Sequence, residues 1–411
     1  MKIAFFTDTY YPQLNGVTIS VDNFAKELRK MGHTVYIFAP KGKYKKENQE
    51  NLSNLSTIKL LDSEPPIYLP TPVSYKEYAH IFRSQFDIIH AHGNGAFSLL
   101  GYQVARLKGI PFLLTFHTLQ SKYTHYFFNG RVIKPHMVET ALRLFANLCD
   151  GIITPSEKMK KELISYGVDK PIHIIPNFVE KENFSKIQKH FLHKKLRLPQ
   201  ETPLLLSVGR LGKEKNFEFV IEAFSELAKK DMSSHLVIVG KGKEKKHLQE
   251  QVAKLNLTKR IHLTGNIHKK YMPSVYADSD IFIFASETET QGIVVLEACI
   301  SGLPLVVVKD PAFTNIVIDK KNGYLLPLQK EQFAEKMQLL LQDDKLRKEM
   351  GEHSKEFVEK NFPPERLTEM LLEVYDTVLT TKSKRKFPQR INLEALKKLT
   401  RSTRFIDRFF S

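Results

Sequence analysis

The feature that most constrains the fold of this 411-residue chain is an alternation of short apolar segments with longer amphipathic ones. Segments such as 2–7 and 204–208 have the length and apolar content of buried strands, and segments with helical periodicity follow them. The alternation runs to residue 175, breaks over the strongly basic stretch 177–199, and resumes at residue 204. Because strands that alternate with helices form parallel, doubly wound sheets, the sequence predicts an α/β protein with two Rossmann-like domains.

The other predicted elements follow the same alternation. In the first half, strands are predicted at 34–39, 57–61, 87–91, 112–116, 151–154 and 172–175, with helices at 17–31, 95–108, 131–148 and 156–166. In the second half, strands are predicted at 236–239, 261–264, 280–285, 305–308 and 323–326, with helices at 216–230 and 291–301 and one that ends near 255. Two further helices are predicted within 343–379, divided at Pro363 and Pro364, because proline favours the first turn of a helix.

These elements define the predicted domain organisation. The first Rossmann-like domain covers 1–180, a linker covers 181–200, and the second domain covers 201–361. Helices in the last part, 362–411, are predicted to cross back to the first domain. In such open sheets, ligands bind beyond the carboxyl ends of the strands, so the crevice between the two domains is the expected site.

Composition narrows the class of partner. The chain has 62 Lys and Arg against 45 Asp and Glu, a net charge of +17, which favours nucleic acid, acidic lipid or phosphorylated ligands. Cys149 and Cys299 are the two cysteines, so no disulfide framework is implied, which fits a reducing cytosol. The apolar run after Lys2 is too short for a signal peptide, and no apolar stretch approaches the roughly 18 residues that span a bilayer.

The sequence SETETQGIVVLEA, residues 286–298, places two carboxylates around a predicted helix start. Glu289 lies in the loop after a strand, and Glu297 lies about two turns into the helix. The free N–H groups of the helix start would belong to Gly292, Ile293 and Val294. Such a helix start binds anions, so the arrangement suits a ligand with a central phosphate and hydroxyls at both ends, as in a nucleotide sugar. Two glutamates at this spacing also occur by chance, so the spacing alone leaves both interpretations open.

Four other candidates follow predicted strands. Arg210 and Lys215 either bracket a diphosphate or belong to a solvated basic loop. His117 either contacts a sugar or is a hydrogen-bonded loop histidine, and Gly16 either lets the backbone approach a phosphate or serves a simple turn. The loop at Gly16 lacks the GxGxxG pattern, so a dinucleotide fingerprint is not supported.

Two short patterns imitate metal sites. His90 and His92 would share one face of a strand, but no cysteine or acid nearby in sequence completes a ligand set. Asp278 and Asp280 imitate the DxD metal site found in one class of sugar transferases, but they stand at a helix end and a strand start, where capping is common. We therefore predict no metal ion and no cofactor.

Two regions are candidates for contact with a lipid surface. The tail 382–411 carries ten Lys and Arg against two acids, and its apolar residues fall three to four apart. This pattern indicates a basic amphipathic helix. Such a helix either binds an anionic membrane or packs on the first domain. Its basic and aromatic candidates are Lys397, Lys398, Arg401, Arg404, Phe405 and Phe409. Aromatic residues beside basic ones in 65–86 and 123–132 suit an opening for an apolar acceptor, core packing or nucleic-acid stacking. The candidates there are Tyr123, Tyr126 and Phe127.

Taken together, the motifs resemble the retaining GT-B glycosyltransferases of family 4 over residues 2–379. The resemblance is carried by PQLNGV with Gly16, TFHT with His117, IPNF with Asn177, VGRLGKEKN with Arg210 and Lys215, VGKGKEKKHL, and the pair Glu289 and Glu297. The sequences TETQGIVVLEA and HTLQSKYTHYF are most similar to the diacylglycerol glucosyltransferases, which make monoglucosyldiacylglycerol. The chain departs from the family in lacking ESFG and in having Phe178 where a glycine is common.

This resemblance implies a role for each candidate. Arg210 and Lys215 would hold the diphosphate, and Glu297 would accept hydrogen bonds from the ribose. Glu289 would bind the hydroxyls of the transferred sugar, and His117 would assist at the reacting centre. Gly16 would line the crevice, and Asn266 and Ile267 would lie beside the base.

The function implied is transfer of glucose from UDP-glucose to the 3-hydroxyl of diacylglycerol, by a peripheral enzyme on the cytoplasmic face of the cell membrane. The expected partners are a nucleotide-sugar donor, diacylglycerol and an anionic membrane surface. An alternative is a transferase of the same fold for phosphatidylinositol, a glycosylated lipid or a soluble sugar. A basic nucleic-acid binding protein is the third hypothesis, but charge alone supports it and the acidic pair opposes it, so we expect no nucleic acid.

Overall fold

A computed structural model describes residues 1–13, 15–41, 51–61, 67–71, 75–118 and 135–383. The first half contains β1 (Lys2–Thr7), α1 (Gly16–Lys30), β2 (Thr34–Pro40), β3 (Leu52–Leu55), β4 (Thr57–Leu61), β5 (Ile67–Pro70), α2 (Tyr75–Arg83), β6 (Ile88–His92), α3 (Ala96–Lys108), β7 (Phe112–Thr115), α4 (Pro135–Ala146), β8 (Gly151–Thr154), α5 (Glu157–Ser165) and β9 (Ile172–Ile174). Seven of these strands form a sheet in the order β3-β2-β1-β6-β7-β8-β9, and every pair in it is parallel.

The second half contains α6 (Phe191–Leu196), β10 (Leu204–Val208), α7 (Phe217–Ala228), β11 (His235–Val239), α8 (Lys245–Lys254), β12 (Ile261–Gly265), α9 (Met272–Ala277), β13 (Ile281–Phe284), α10 (Ile293–Ile300), β14 (Leu305–Val308), β15 (Gly323–Leu326), α11 (Lys330–Gln342), α12 (Asp344–Asn361) and α13 (Pro364–Ser383). Its six strands form a second parallel sheet in the order β12-β11-β10-β13-β14-β15. The predicted fold class, two parallel-sheet Rossmann-like domains, is confirmed.

Strand alternation places the two cores of the first domain. Ile3 and Phe5 on β1 point into one apolar cluster, and Ala4 and Phe6 point into another, because successive side chains of a strand face opposite sides of the sheet. The cluster that contains Ile3 continues through α1 and α13 into the second domain. Apolar packing on this face is therefore continuous between the two halves.

Several predicted elements needed correction. The segment 57–61 is a strand, but it pairs antiparallel with β5 in a separate two-stranded sheet, and β3 takes the edge of the parallel sheet. The helix predicted from 291 begins at Ile293, because Gly292 adopts a left-handed φ of +81° just before it. The helix predicted over 131–148 covers Pro135–Ala146 in the described part of the chain.

Helix α13 returns to the first domain. It packs against α1, and Val378 lies against Gly151 of β8. The hydroxyl of Tyr375 is 2.7 Å from Nδ1 of His90, and both side chains are buried. The part of the chain after α13 lies outside the described residues. Within the described ranges, no helix is both long enough and apolar enough to cross a membrane.

Candidate active site

The start of α10 forms the centre of the candidate site. A side chain at Gly292 would place its Cβ 2.7 Å from Cε1 of Phe313, so both the positive φ and the packing require glycine here. Within the described residues, the N–H groups of Gly292, Ile293 and Val294 have no hydrogen-bond acceptor in the protein. These three N–H groups therefore remain available at the helix start, and a helix start of this kind attracts an anion.

Lys215 and Glu289 form an ion pair beside this helix start. The ammonium of Lys215 bonds the carboxylate of Glu289, and the two side chains are 16% and 14% exposed. The ammonium also lies 5.9 Å from the ring centroid of Phe284, the last residue of β13. The two residues are 74 positions apart in sequence, and both follow the carboxyl ends of adjacent strands.

Arg210 is held in the same loop by Glu214. Its Nε and Nη2 atoms lie 3.1 Å and 2.7 Å from Oε1 of Glu214, whose side chain is 2% exposed. The main-chain oxygen of Glu214 accepts hydrogen bonds from the hydroxyls of Ser286 and Thr288, at 3.0 Å and 3.3 Å. The loop 209–216, called the basic loop below, and the loop 285–292, called the acidic loop, are thereby fixed to each other.

Glu297 lies deeper on α10. Tyr276 donates a hydrogen bond of 2.7 Å to its Oε2 atom. Burial raises the pKa of the Glu297 carboxyl above its ordinary value, although the bond from Tyr276 and the charge of Lys269 act in the opposite direction. Lys269 also reaches the first domain, since its Nζ lies 3.1 Å from the hydroxyl of Tyr11. Burial lowers the pKa of this lysine.

His117 approaches from the first domain, two residues beyond β7. Its Nε2 atom is 3.1 Å from Nδ1 of His92, and the two rings stack with centroids 5.4 Å apart. Burial lowers the pKa of His117 to about 3, so the ring is neutral at physiological pH. The main-chain oxygen of His117 accepts a 2.9 Å hydrogen bond from the hydroxyl of Thr290, which is next to Glu289 in sequence. The loop that carries His117 and the loop that carries Glu289 are therefore in contact.

Gly16 is the first residue of α1, and it faces the start of α10. A Cβ atom at Gly16 would lie 3.5 Å from Cδ1 of Ile293. Asn15 caps α1 by accepting a 3.0 Å hydrogen bond from the N–H of Thr18. The starts of two helices, one from each domain, thus meet across the crevice.

The structure places the two candidates after β12 differently. Asn266 is exposed, whereas the side chain of Ile267 is 6% exposed and belongs to the apolar core. The end of β12 is tied to a neighbouring loop, because the N–H of Gly240 donates to the oxygen of Gly265 at 3.0 Å. A side chain at Gly240 is excluded, since its Cβ would lie 1.8 Å from the oxygen of Gly209, beside Arg210.

The two patterns that imitate metal sites have structural roles. Both ring nitrogens of His90 are engaged, with Tyr375 at 2.7 Å and with Oγ1 of Thr115 at 2.6 Å. The carboxylate of Asp278 accepts from the N–H groups of His190 and Leu192 at the start of α6, and Asp280 accepts from the N–H of Leu204. Among the described residues, no group of three or more His, Cys, Asp or Glu side chains could hold a metal ion.

Two contacts between the domains were not foreseen from the sequence. The amide of Gln291 is fully buried and bonds the backbone and side chain of Asn177 at distances of 2.6 to 3.1 Å. Lys158 of α5 bonds both carboxylate oxygens of Asp310 at 2.7 Å and the main-chain oxygen of Glu287 at 2.8 Å. Gln291 stands within the acidic motif and Asn177 within IPNF, but neither motif shows that the two side chains meet.

The candidates for lipid contact are not placed by the structure. Tyr123, Tyr126, Phe127, Lys397, Lys398, Arg401, Arg404, Phe405 and Phe409 all lie outside the described residues.

Solved structures of low sequence identity have the same two-domain fold. Sucrose-phosphate synthase from Thermosynechococcus elongatus superposes with a TM-score of 0.75 at 19% identity, covering 92% of this chain and 99% of that one. The Anabaena protein HepE in complex with UDP-glucose superposes with a TM-score of 0.74 at 18% identity, covering 92% of this chain and all of that one, 100%. The fold is therefore the GT-B arrangement of glycosyltransferases.

Sequence comparison resolves the family. The family described as Glycosyltransferase Family 4 matches residues 14–183, and the one described as Glycosyl transferases group 1 matches residues 188–357. The alpha-monoglucosyldiacylglycerol synthase of Streptococcus pneumoniae is 32% identical over 334 residues, which are 79% of this chain and 75% of the relative. The synthase of the same description from Acholeplasma laidlawii is 28% identical over 337 residues, 79% of this chain and 84% of the relative. The chain belongs to the GT-B glycosyltransferases of group 1 and family 4, as the sequence motifs predicted.

Proposed function

We propose that this glycosyltransferase moves glucose from UDP-glucose to the 3-hydroxyl of 1,2-diacylglycerol and forms α-monoglucosyldiacylglycerol at a membrane surface. The observation that carries the proposal is that the Lys215–Glu289 pair and the open start of α10 lie at one loop-to-helix junction, which contacts the loop of His117. The relatives described as monoglucosyldiacylglycerol synthases support the choice of acceptor and sugar.

The donor diphosphate is assigned to the start of α10 and the two cations of the basic loop. Arg210 presents a planar guanidinium that Glu214 holds in place, and Lys215 adds a point charge on the other side of the loop. As the bond to the sugar breaks, negative charge grows on the leaving diphosphate, and preorganised donors stabilise that charge most when it is fully developed. Glu297 is assigned to the ribose hydroxyls.

The reacting sugar is assigned to the space between Glu289 and His117. The carboxylate of Glu289 accepts hydrogen bonds from sugar hydroxyls, and the neutral ring of His117 supplies one donor and one acceptor nitrogen. The hydroxyl of Thr290, next to Glu289 in sequence, donates to the main-chain oxygen of His117, which supports placing the loops of Glu289 and His117 at one site. The 3-hydroxyl of diacylglycerol would attack from the same face as the leaving diphosphate, so the α configuration is retained. The leaving phosphate oxygen would take the proton of that hydroxyl as the bond to the sugar breaks.

No metal ion takes part in the proposed reaction. Arg210, Lys215 and the free N–H groups of α10 supply the positive potential that a metal would otherwise provide to the diphosphate. Transfer should therefore continue in the presence of a chelator.

The acceptor is a lipid, so the enzyme is proposed to act as a peripheral protein at the cytoplasmic face of the membrane. The net charge of +17 supports attraction to anionic lipid. The basic tail 382–411 remains the proposed contact.

The deciding experiment measures UDP release from UDP-glucose with vesicles that contain anionic phospholipid and diacylglycerol. We expect release that depends on diacylglycerol, and a product whose anomeric proton identifies the α-glucoside in the NMR spectrum. Glu289→Gln and Lys215→Ala should each lower the rate about a hundredfold or more. Glu287→Gln and Lys213→Ala, exposed neighbours in the same two loops, are the matched controls and should keep the rate.

Absence of release with diacylglycerol would overturn the proposed acceptor. Release with phosphatidylinositol, a glycosylated lipid or a soluble sugar in its place would identify a different transferase of the same fold. An equal loss of rate in the loop controls would contradict the roles assigned to Glu289 and Lys215.

A further inference from the structure

A small cavity lies between α1 and the sheet of the first domain, beside His92. Its volume is about 10 Å³, which is close to that of one water-sized sphere. Two of the residues that line the cavity are Ser20 of α1 and His92 of β6. These side chains belong to residues that are 2% and 1% exposed.

Each of these side chains has a buried polar atom without a partner. Within the part of the chain that the structure describes, neither Oγ of Ser20 nor Nε2 of His92 makes a hydrogen bond. Buried polar atoms are nearly always satisfied, and leaving two of them unpaired costs more than immobilising one water molecule. Ser20 and His92 line one water-sized space, so their hydroxyl and imidazole nitrogen are available as the two polar partners that a buried water needs.

The other nitrogen of His92 faces the candidate active site. Its Nδ1 atom is 3.1 Å from Nε2 of His117, and the two rings stack at an interplanar angle of 19°. Burial lowers the pKa of both rings, so both are neutral. In a pair of neutral imidazoles, one nitrogen of the contact carries the hydrogen and the other accepts it, so the tautomer of each ring sets that of its partner.

We propose that the cavity holds one ordered water bonded to Ser20 and His92, and that His92, anchored in this way, is the positioning residue for His117. The water and the hydroxyl restrain one edge of the His92 ring, while its other edge fixes the orientation and tautomer of His117. The kinetic part of this inference rests on the proposed transfer reaction, whereas the water and the tautomer do not.

The first test is structural and needs no activity. A crystal structure at a resolution that shows ordered water should contain one water within hydrogen-bond distance of Ser20 Oγ and His92 Nε2. In protein labelled with ¹⁵N-histidine, His117 should give the NMR signal of a single tautomer. Ser20→Ala should remove or weaken the water and broaden the His117 signal. A dry cavity, or an unchanged signal in Ser20→Ala, would overturn the role of the water.

The second test separates positioning from simple packing. His92→Phe keeps an aromatic ring but removes both nitrogens. We expect kcat to fall about ten- to a hundredfold with little change in the KM for donor, because small misplacement of a reacting group costs up to about a hundredfold. His92→Asn places an amide near the Nδ1 position and should recover part of the rate. His92→Gln places its amide near Nε2 and should recover less.

The chain offers a matched control in its second domain. His235 and His262 form the same kind of stacked pair, with 2.8 Å between Nδ1 and Nε2 and centroids 5.1 Å apart, at the start of strands far from the crevice. His235→Phe should leave kcat within about twofold of wild type. Equal losses of kcat for Phe, Asn and Gln at position 92 would show that His92 acts only through packing. If the wild-type protein transfers nothing to diacylglycerol, the proposed function fails, while the water and the His117 tautomer still decide this inference.

Discussion

The ammonium of Lys215 and the carboxylate of Glu289 are bonded to each other across the carboxyl ends of β10 and β13. Each residue therefore satisfies the other before any donor is present. A donor that brings a diphosphate to Lys215 and sugar hydroxyls to Glu289 must share or replace this pair. The two residues should thus act as a unit, although they have separate roles in the proposed reaction.

The first prediction concerns the coupling of this pair. Lys215→Ala and Glu289→Gln should each reduce kcat/KM about a hundredfold or more, and the double variant should lose less than the product of the two, because residues in direct contact couple by about 0.5–3 kcal/mol. A double-mutant cycle of kcat/KM measures the coupling. Fully additive losses would contradict it.

The second prediction separates Glu297 from Glu289. Glu297→Gln should weaken UDP binding about tenfold, with a smaller effect on kcat, because one charged hydrogen-bond acceptor for the ribose is lost. Isothermal titration with UDP measures the affinity, and Glu289→Gln is the comparison that should slow transfer more than it weakens UDP. The reverse order of the two effects would exchange the two assignments.

The carboxyl of Glu297 should also make donor binding depend on pH. Burial raises the pKa of this carboxyl, so it gains a proton at a higher pH than an exposed glutamate. The carboxylate accepts two or more hydrogen bonds, whereas the protonated form accepts fewer, so UDP affinity should fall as the pH falls through this pKa. Titrations with UDP at successively lower pH should show a steeper loss of affinity in wild type than in Glu297→Gln, where only the terminal phosphate of UDP takes up a proton.

The sequence was sufficient for the architecture because the signals that determine it are local. Strand-helix alternation predicts parallel sheets wherever it occurs, and the ends of parallel strands share one edge. Arg210, Lys215 and Glu289 were identified on this ground, and the structure brings them to one edge. Segment 57–61 was assigned to the wrong sheet because its apolar content fits either kind of pairing.

The contacts between the domains could not be predicted from local sequence patterns. Gln291 bonds Asn177 over a separation of 114 positions, and Lys158 bonds Asp310 over 152. Such pairs depend on how two independently patterned units dock, and a single sequence carries no periodic signal for docking. The contact between His92 and His117 was also not predicted, because the two residues lie at the ends of different strands of the first sheet.

The third prediction concerns the contribution of His90, His92 and His117 to stability. Burial lowers the pKa of His90 to about 3, that of His117 to about 3, and that of His92 well below its ordinary value. In the unfolded chain, these rings take up protons near pH 6.5, so the stability they contribute is present above that pH and is lost as the pH falls towards 3. The slope is at most about 1.4 kcal/mol per pH unit for each ring.

Two measurements check this. The ¹⁵N signals of the three rings in the folded protein should remain those of neutral imidazole from pH 7 to pH 5. The free energy of unfolding should decrease over the same range. Protonation of His90 or His117 in the folded protein above pH 5 would contradict the prediction.

The fourth prediction concerns the bond between α13 and the first domain. Tyr375→Phe leaves Nδ1 of the fully buried His90 without its 2.7 Å partner, and such a loss costs about 1–3 kcal/mol of stability. Denaturant unfolding should show this loss, whereas Thr377→Ala, on the exposed side of the same helix, should cost little. Equal values for the two variants would mean that the hydroxyl of Tyr375 contributes no net stability.

The last prediction concerns the link between the domains at Lys158. The side chains of Lys158 and Asp310 are 14% and 10% exposed, so removing the lysine leaves a mostly buried carboxylate without its cation. Lys158→Met should therefore destabilise the docked arrangement by about 3 kcal/mol, near the lower limit for a buried pair because some solvent reaches both groups. The lysine also bonds the main chain of Glu287, in the acidic loop.

Small-angle scattering should show a larger radius of gyration for Lys158→Met, and the rate of transfer should fall. Lys161→Met, an exposed lysine on the same helix, should change neither quantity. If Lys158→Met scatters like wild type yet transfers slowly, the lysine acts by holding the acidic loop rather than by holding the domains together.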